Sequence, residues 1–231
     1  RVAHAYLFTG PRGVGKTSMA RIVAKALNSP TTETGEPVSD SDTTQSIDLG
    51  NYLDLIEIDG ASNRGIDDIR TLRDSTQFKP ALGQYKIYII DEVHMLTTPA
   101  FNALLKTLEE PPEKVVFILC TTDSYRVPST IISRCQRFDF RRLSTNDIVG
   151  RLVEICKAEQ INCALSALEL IAKQAWGSLR DAENLLEQLS ISYSNESETT
   201  ENPEITEFQA RELLGMGDRS VAETFTSFLL T

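Results

Sequence analysis

The sequence predicts an α/β protein: a parallel sheet covered by helices on both faces, followed by a small all-helical domain. Three observations predict it. Short apolar runs alternate with amphipathic stretches through residues 1–142, the pattern of strand–helix–strand crossovers. Two of the runs, Ile87-Tyr88-Ile89-Ile90 and Val115-Val116-Phe117-Ile118-Leu119, are continuously apolar, as strands buried on both faces must be. After Leu143 the apolar residues recur only at helical spacing.

Taken in order, Ala5-Tyr6-Leu7-Phe8 reads as the first strand and a glycine-rich loop follows it. Met19, Ile22, Val23, Ala26 and Leu27 then mark the apolar face of the first helix. Residues 29–51, rich in Ser, Thr, Asp, Glu and Pro, read as a solvated polar insertion. Leu53–Ile58 is the next strand, and Ile66, Ile69 and Leu72 mark a helix after it. Lys86–Ile90 is a central strand. Thr98-Pro99 caps and starts a helix carrying Phe101, Leu104, Leu105 and Leu108, which Pro111-Pro112 stops. Beyond Val115–Leu119, a short helix around Ile131 and Ile132 leads to a strand at Arg137–Phe140. In residues 143–191, Ser144-x-x-Asp147 and Ser166-x-x-Glu169 read as capping boxes opening two helices. A third helix carries Leu179, Ala182, Leu185, Leu186 and Leu189. Residues 192–205 read as an acidic linker, and a last helical stretch starts near Thr206.

The 231 residues carry 23 basic against 33 acidic groups, a formal net charge of −10. That argues against a generic nucleic-acid coat or a basic membrane-surface protein, while leaving room for a local basic patch. No apolar run approaches bilayer-spanning length and nothing at the N-terminus reads as a signal peptide, so a cytoplasmic location is expected. The four cysteines, Cys120, Cys135, Cys156 and Cys163, contain no C-x-x-C pair and read as free thiols in a reducing compartment. The chain opens at Arg1 with the first strand almost at once, which reads as a fragment of a longer product.

The chemistry concentrates in a few motifs. Gly10-Pro11-Arg12-Gly13-Val14-Gly15-Lys16-Thr17 lies between a strand and a helix, the context that makes G-x-x-x-x-G-K-[ST] a P-loop. Its glycines let backbone N–H groups turn toward phosphates at a helix N-terminus. Lys16 can reach the β- and γ-phosphates, and the Thr17 hydroxyl can ligate Mg²⁺. Ile87–Ile90 runs into Asp91-Glu92, a Walker B arrangement. In an open α/β sheet these carboxylates lie at the strand ends where ligands bind, so Asp91 supports Mg²⁺ and Glu92 polarises the attacking water. A hydroxyl of Thr121-Thr122-Asp123 can bond that water or serve only strand-end turn chemistry. Arg134, in Ser133-Arg134-Cys135, has no evident internal carboxylate partner in sequence. It reads equally as a trans arginine finger or a surface residue. Arg180 opens a helix, where a cation is normally disfavoured, and an anion partner would explain it. His94 reads as packing or turn chemistry.

Together these residues resemble the bacterial DNA polymerase III clamp-loader gamma/tau family of AAA+ ATPases. The resemblance rests on His4–Phe8, Gly10–Thr17, Leu55–Asp59, Ile90–Leu96, Phe101–Pro112, Thr121–Asp123, Ser133–Cys135 and Gly177–Ala182. It implies an AAA+ (RecA-like) P-loop domain with a helical lid at residues 143–191. It also implies that Thr122 is sensor 1, Arg134 the trans arginine finger and Arg180 sensor 2. ATP and Mg²⁺ are the implied cofactors. The implied partners are the other subunits of a hetero-pentamer, a sliding clamp, primer–template DNA and the polymerase holoenzyme; no membrane is expected. The implied function is ATP-driven loading of the clamp. The family's helical collar would begin within residues 206–231, and its base-enclosing N-terminal stretch would precede Arg1.

The family usually holds zinc with four cysteines in the insertion after the first helix. Those positions fall here on Ser29, Val38, Ser41 and Thr44, so no structural zinc is expected. Arg64, Arg70 and Arg73 read as one helical face and are candidates for DNA phosphates or ordinary solvated charge. Two competing readings stay open: another AAA+ DNA motor, and a clamp-loader-derived nucleotide-binding scaffold without a replication role.

Overall fold

A computed structural model describes residues 2–32, 34–194 and 204–216. The chain divides into two compact units, Arg1–Arg141 and Arg142–Thr231.

The first unit is built on a five-stranded, wholly parallel sheet: β1 (Ala5–Thr9), β2 (Leu55–Asp59), β3 (Lys86–Asp91), β4 (Val115–Thr121) and β5 (Gln136–Asp139), in the order β2-β3-β4-β1-β5. Every strand therefore ends on the same side, which brings Thr9, Asp59, Asp91, Thr121 and Asp139 to one edge. In β3, Ile87 and Ile89 pack toward one face with Phe8, Val116, Ile118 and Cys120. Tyr88 and Ile90 pack toward the other with Leu7, Phe117 and Leu119. The period of two across two buried faces explains why β3 and β4 read as continuous apolar runs.

One face is covered by α1 (Lys16–Asn28), whose buried apolar residues are the small Ala20 and Ala24, with Val23 and Leu27 packed partly buried beside them. The other carries α3 (Ile66–Ser75), α4 (Thr98–Glu109) and the short α5 (Ser129–Ile132), through Ile69, Leu72, Phe101, Leu104, Leu108 and Ile131. Two residues expected on the buried face of α1 are instead exposed: Met19 at 41% and Ile22 at 44%. Alanines at the contact let α1 approach the sheet closely and turn those longer side chains outward. Thr97 rather than Thr98 caps α4, its hydroxyl accepting from the Ala100 amide, with Pro99 in the first turn.

The insertion at residues 29–51 is largely exposed, as its composition predicts, but it is not structureless. It contains α2 (Asp42–Asp48), which packs on α1 and buries Thr44 and Ile47. Strand β2 starts at Leu55 rather than Leu53. Leu53 is exposed, while Asp54 is 1% exposed and accepts backbone hydrogen bonds from Ala81 (2.7 Å), Leu82 (2.7 Å) and Gly83 (2.8 Å). A buried carboxylate is tolerable there because three N–H donors replace water.

The second unit packs α6 (Thr145–Ala158), α7 (Leu165–Gln174), α8 (Leu179–Ser194) and α9 (Glu207–Leu213) around Ile148, Leu152, Leu168, Ile171, Leu186, Leu189 and Ala210. Ser144 and Asp147 form the expected capping box on α6. The Ser166 box does not form, because α7 starts at Leu165 with Ala164 as its cap, two residues earlier than a Ser166 cap would place it. Ala164 N–H donates to the Ile205 carbonyl at 2.9 Å, so tertiary pairing sets that start in place of a side-chain cap. Ile205 is buried and bridges Cys163, and α9 packs on α7 and α8. The C-terminal part of the expected linker and the helix after it thus join this unit's core. Residues 195–203 of that linker and 217–231 of the expected collar start lie outside the described residues. Trp176, at φ +51° in the turn before α8, is 76% exposed.

All four cysteines are free. Burial pushes each thiol up, Cys135 to about 11 and Cys163 to about 12, which leaves them unreactive near neutrality.

Candidate functional site: the ends of β1, β3 and β4

The loop Gly10–Thr17 runs from the end of β1 into α1. Gly10 adopts φ +147°, and a Cβ there would lie 2.3 Å from the Phe140 carbonyl oxygen, so only glycine fits. Gly15, at φ +91°, turns the chain into the first helical turn. Arg12 is exposed, Pro11 and Gly13 are half-buried, and Val14 is buried and anchors the loop. Lys16 is 6% exposed and donates to the carbonyls of Gly10 at 2.8 Å and Pro11 at 2.7 Å. Burial holds its ammonium below the ordinary lysine range, against the opposing pull of Glu92 and Asp91.

The register of the parallel sheet brings the Walker B carboxylates to this loop. Thr17 Oγ1 donates to Asp91 Oδ2 at 2.6 Å, and Asp91 Oδ1 accepts from the Glu92 amide at 2.8 Å. A hydroxyl beside a carboxylate is the hard-oxygen pair that Mg²⁺ takes along with waters, so Thr17 and Asp91 fit that ion. When bound, it would neutralise phosphate charge.

Glu92 sits at φ +45°, a left-handed conformation unusual for a residue with a side chain, at the start of the 3-10 turn Val93–Met95. Its Oε2 accepts from Thr122 Oγ1 at 2.9 Å and from the Thr122 amide at 3.3 Å. The hydroxyl just beyond the end of β4 thus reaches the Glu92 carboxylate directly. His94, which the sequence assigns to packing or turn chemistry, does pack into that turn and also meets this carboxylate. It is buried, with Nδ1 3.0 Å from Thr121 Oγ1 and 3.3 Å from Glu92 Oε2. Its place two residues after Glu92 was the available signal, but Thr121 is 27 residues away and meets it only through sheet pairing.

Arg134 departs from expectation. It has an internal partner: Nη2 donates to Glu109 Oε1 at 2.7 Å, while Nη1 donates to the Thr130 carbonyl at 2.7 Å. Glu109 ends α4 and is brought there by packing of α4 on α5. Arg180 lies in the second unit, exposed in the first turn of α8, and joins none of the ion pairs found among the described residues. Ser178 Oγ accepts the Asp181 amide at that helix start.

The basic candidates separate. Arg64 precedes α3, and its Nε donates to the Ala61 carbonyl, so it does not share the helical face. Arg70 and Arg73 do share one, and with Asn102 and Lys106 of α4 they line a groove of about 250 Å³. Each arginine also pairs with a neighbouring aspartate, Arg70 with Asp67 and Arg73 with Asp74.

The four insertion positions aligned with the family's zinc ligands converge on a hydroxyl node. Thr44 Oγ1 donates to the Val38 carbonyl at 2.9 Å, accepts from Ser41 Oγ at 2.9 Å and lies 3.2 Å from Ser29 Oγ. Neutral hydroxyls and a carbonyl do not replace thiolates, so these residues do not fit zinc. Among the described residues no group of three or more His, Cys, Asp or Glu side chains could hold a metal ion. Nor is any described helix long and apolar enough to cross a membrane.

Residues 1–144 match the family described as "DNA polymerase III, delta subunit", and residues 147–196 match "DNA polymerase III clamp loader subunit, ATPase lid domain". The chain is 54% identical over 196 residues to DNA polymerase III subunit tau of Bacillus subtilis, covering 85% of this chain and 35% of the relative. The chain belongs to the DNA polymerase III gamma/tau clamp-loader family. The Escherichia coli tau subunit is 51% identical over 188 residues, covering 81% of this chain and 29% of that protein. A gamma subunit of Buchnera aphidicola subsp. Schizaphis graminum is 43% identical over 233 residues, covering 100% and 61%. The chain thus spans about a third of the length of the Bacillus and Escherichia relatives. Among solved structures, Thermotoga maritima RuvB, a Holliday junction branch migration motor, matches with TM-score 0.64 at 16% identity, covering 93% of this chain and 62% of RuvB. A DNA polymerase III gamma subunit-related protein of Thermotoga maritima matches with TM-score 0.52 at 23% identity, covering 92% and 67%. These likenesses establish the AAA+ fold of this gamma/tau family member, and its second unit carries the lid.

Proposed function

We propose that this chain is the ATP-hydrolysing part of a DNA polymerase III clamp-loader subunit, which uses ATP and Mg²⁺ to load a sliding clamp onto primer–template DNA. The observation that carries the reading is the meeting of Lys16, Thr17, Asp91, Glu92 and Thr122 at one sheet edge, with Thr17 and Asp91 2.6 Å apart. Lys16 and the loop amides bind the triphosphate, and Thr17 with Asp91 holds the metal. A water oxygen attacks the γ-phosphorus, its proton passes to Glu92, and the bridging oxygen leaves with its electron pair on ADP. Thr122 orients Glu92, while Arg180 contacts phosphate as sensor 2. Arg134 contributes charge to the nucleotide of a neighbouring subunit.

The groove of Arg70, Arg73 and Lys106 is the surface we assign to DNA phosphates, alongside Arg64 in the loop before it. The other clamp-loader subunits, the clamp and the polymerase holoenzyme complete the partner set. The hydroxyl node in place of a zinc site favours a second reading, a nucleotide-binding scaffold outside replication; the preserved Glu92–Thr122 pair supports a hydrolytic role over it. The test is ATP turnover by the full-length protein with its clamp-loader partners, with and without primed DNA and clamp. Stimulation by DNA and clamp is expected. Turnover indifferent to both would sink the clamp-loader reading.

A further inference from the structure

The second of the two histidines in the sequence is buried beside the Glu92 carboxylate, and the ring nitrogen that carries its proton decides what it does there. His94 Nδ1 faces two oxygens, Thr121 Oγ1 at 3.0 Å and Glu92 Oε2 at 3.3 Å. Glu92 is acceptor-only when ionised, so a lone pair on Nδ1 would point at an anion. A proton on Nδ1 instead gives the carboxylate a donor. Thr121 Oγ1 already accepts from the Asp123 amide at 3.0 Å and has a second lone pair for the imidazole. The donors found for this carboxylate among the described residues, the Thr122 amide, the Thr122 hydroxyl and His94, all reach Oε2. Oε1 is then the oxygen left to take the proton of the attacking water.

We propose that His94 is a positioning residue for Glu92: its Nδ1–H, steadied by Thr121, pins Oε2 so that Oε1 is the basic oxygen. A histidine that merely filled space would need no particular tautomer and would act independently of Glu92. Glu92, at φ +45°, is the residue that opens the 3-10 turn carrying His94, so the two side chains that meet leave the same short turn. This rests on the hydrolytic reading above for its kinetic arm only.

The kinetic arm compares His94→Asn, His94→Gln and His94→Leu in the full-length protein with its partners. An asparagine amide nitrogen falls near the place of Nδ1, whereas a glutamine amide nitrogen falls near Nε2. His94→Asn is expected to keep most of kcat. His94→Gln and His94→Leu should lose about 10- to 100-fold in kcat, with ATP affinity within about two-fold of wild type. In a Glu92→Gln background, His94→Gln should cost nothing further, since it acts through the group already removed. Equal losses for all three variants, or an additive loss in the double variant, would overturn the proposal.

The second arm needs no turnover. Imidazole ¹⁵N shifts of the chain, assigned between His4 and His94 by the His94→Gln spectrum, report the tautomer. A proton on Nδ1 of His94 is the expected result; a proton on Nε2 alone overturns the proposal. If wild-type protein does not hydrolyse ATP, the function proposed above fails, and the tautomer still decides the role of His94.

Discussion

Arg134 and Glu109 form an ion pair, Nη2 to Oε1 at 2.7 Å, across the ends of two helices on one face of the sheet. The arginine assigned to a neighbour's nucleotide is therefore presented already oriented, its second nitrogen fixed on the Thr130 carbonyl. Both partners are partly exposed, at 33% and 50%, so the pair contributes at most about 1 kcal/mol to stability. Glu109→Gln should leave the unfolding midpoint in urea almost unchanged. Arg134→Ala should leave ATP binding by this chain intact, yet lower hydrolysis in the assembled complex by about 10³-fold. Loss of binding in isolated Arg134→Ala protein would show that the residue serves its own site.

Thr17→Val removes the hydroxyl that Asp91 holds and keeps the side-chain shape. Its ATP affinity without Mg²⁺ should stay close to wild type, while the gain on adding Mg²⁺ should fall by about ten-fold or more. Fluorescence titrations with and without the metal measure both. An unchanged Mg²⁺ gain would remove Thr17 from the metal site.

How much of this site the sequence displays depends on how local each relationship is. Gly10–Thr17 is contiguous and Asp91-Glu92 terminates an apolar run, so both are readable, and the rule that ligands sit at strand ends brings them together. Glu109 and Arg134 are 25 residues apart and meet only because α4 packs on α5. Nothing in the spacing carries that. The exposure of Met19 and Ile22 is equally invisible to periodicity, since the alanines Ala20 and Ala24 decide which way α1 turns. Composition shows that residues 29–51 are solvated but not that they hold a small folded element, in which the Thr44 and Ser41 hydroxyls bond to each other and to the backbone.

That element gives a metal prediction. Chelator should leave the thermal unfolding of the protein unchanged, and elemental analysis should find no stoichiometric zinc. Thr44→Val should cost about 1–2 kcal/mol, because it strips the donor from the Val38 carbonyl and the acceptor from Ser41. Stoichiometric zinc in purified protein would refute the node as a metal-free device.

Asp54 sets the acid sensitivity. Burial alone would raise its carboxyl, but the amides of Gly83, Ala81 and Leu82 and the charge of Lys86 outweigh it and hold the group below its ordinary value of 3.8. The folded pKa lies below the unfolded one, so the stabilisation is complete above that ordinary value and fades as pH falls through the folded one. At pH 7, Asp54→Asn should be less stable by about 2–4 kcal/mol. The gap to wild type should narrow as pH drops below about 4. Urea unfolding at several pH values reads this directly, and a gap independent of pH would remove Asp54 from the account.

Trp176 is the sequence's one tryptophan, and it stands in water in the turn that leads to Arg180. The protein therefore carries a native fluorophore confined to its second unit, while the parallel sheet is dark at tryptophan wavelengths. Five of the six tyrosines, Tyr6, Tyr52, Tyr85, Tyr88 and Tyr125, lie in the first unit and Tyr193 lies in the second, so it is tryptophan emission that watches the lid turn alone without a label.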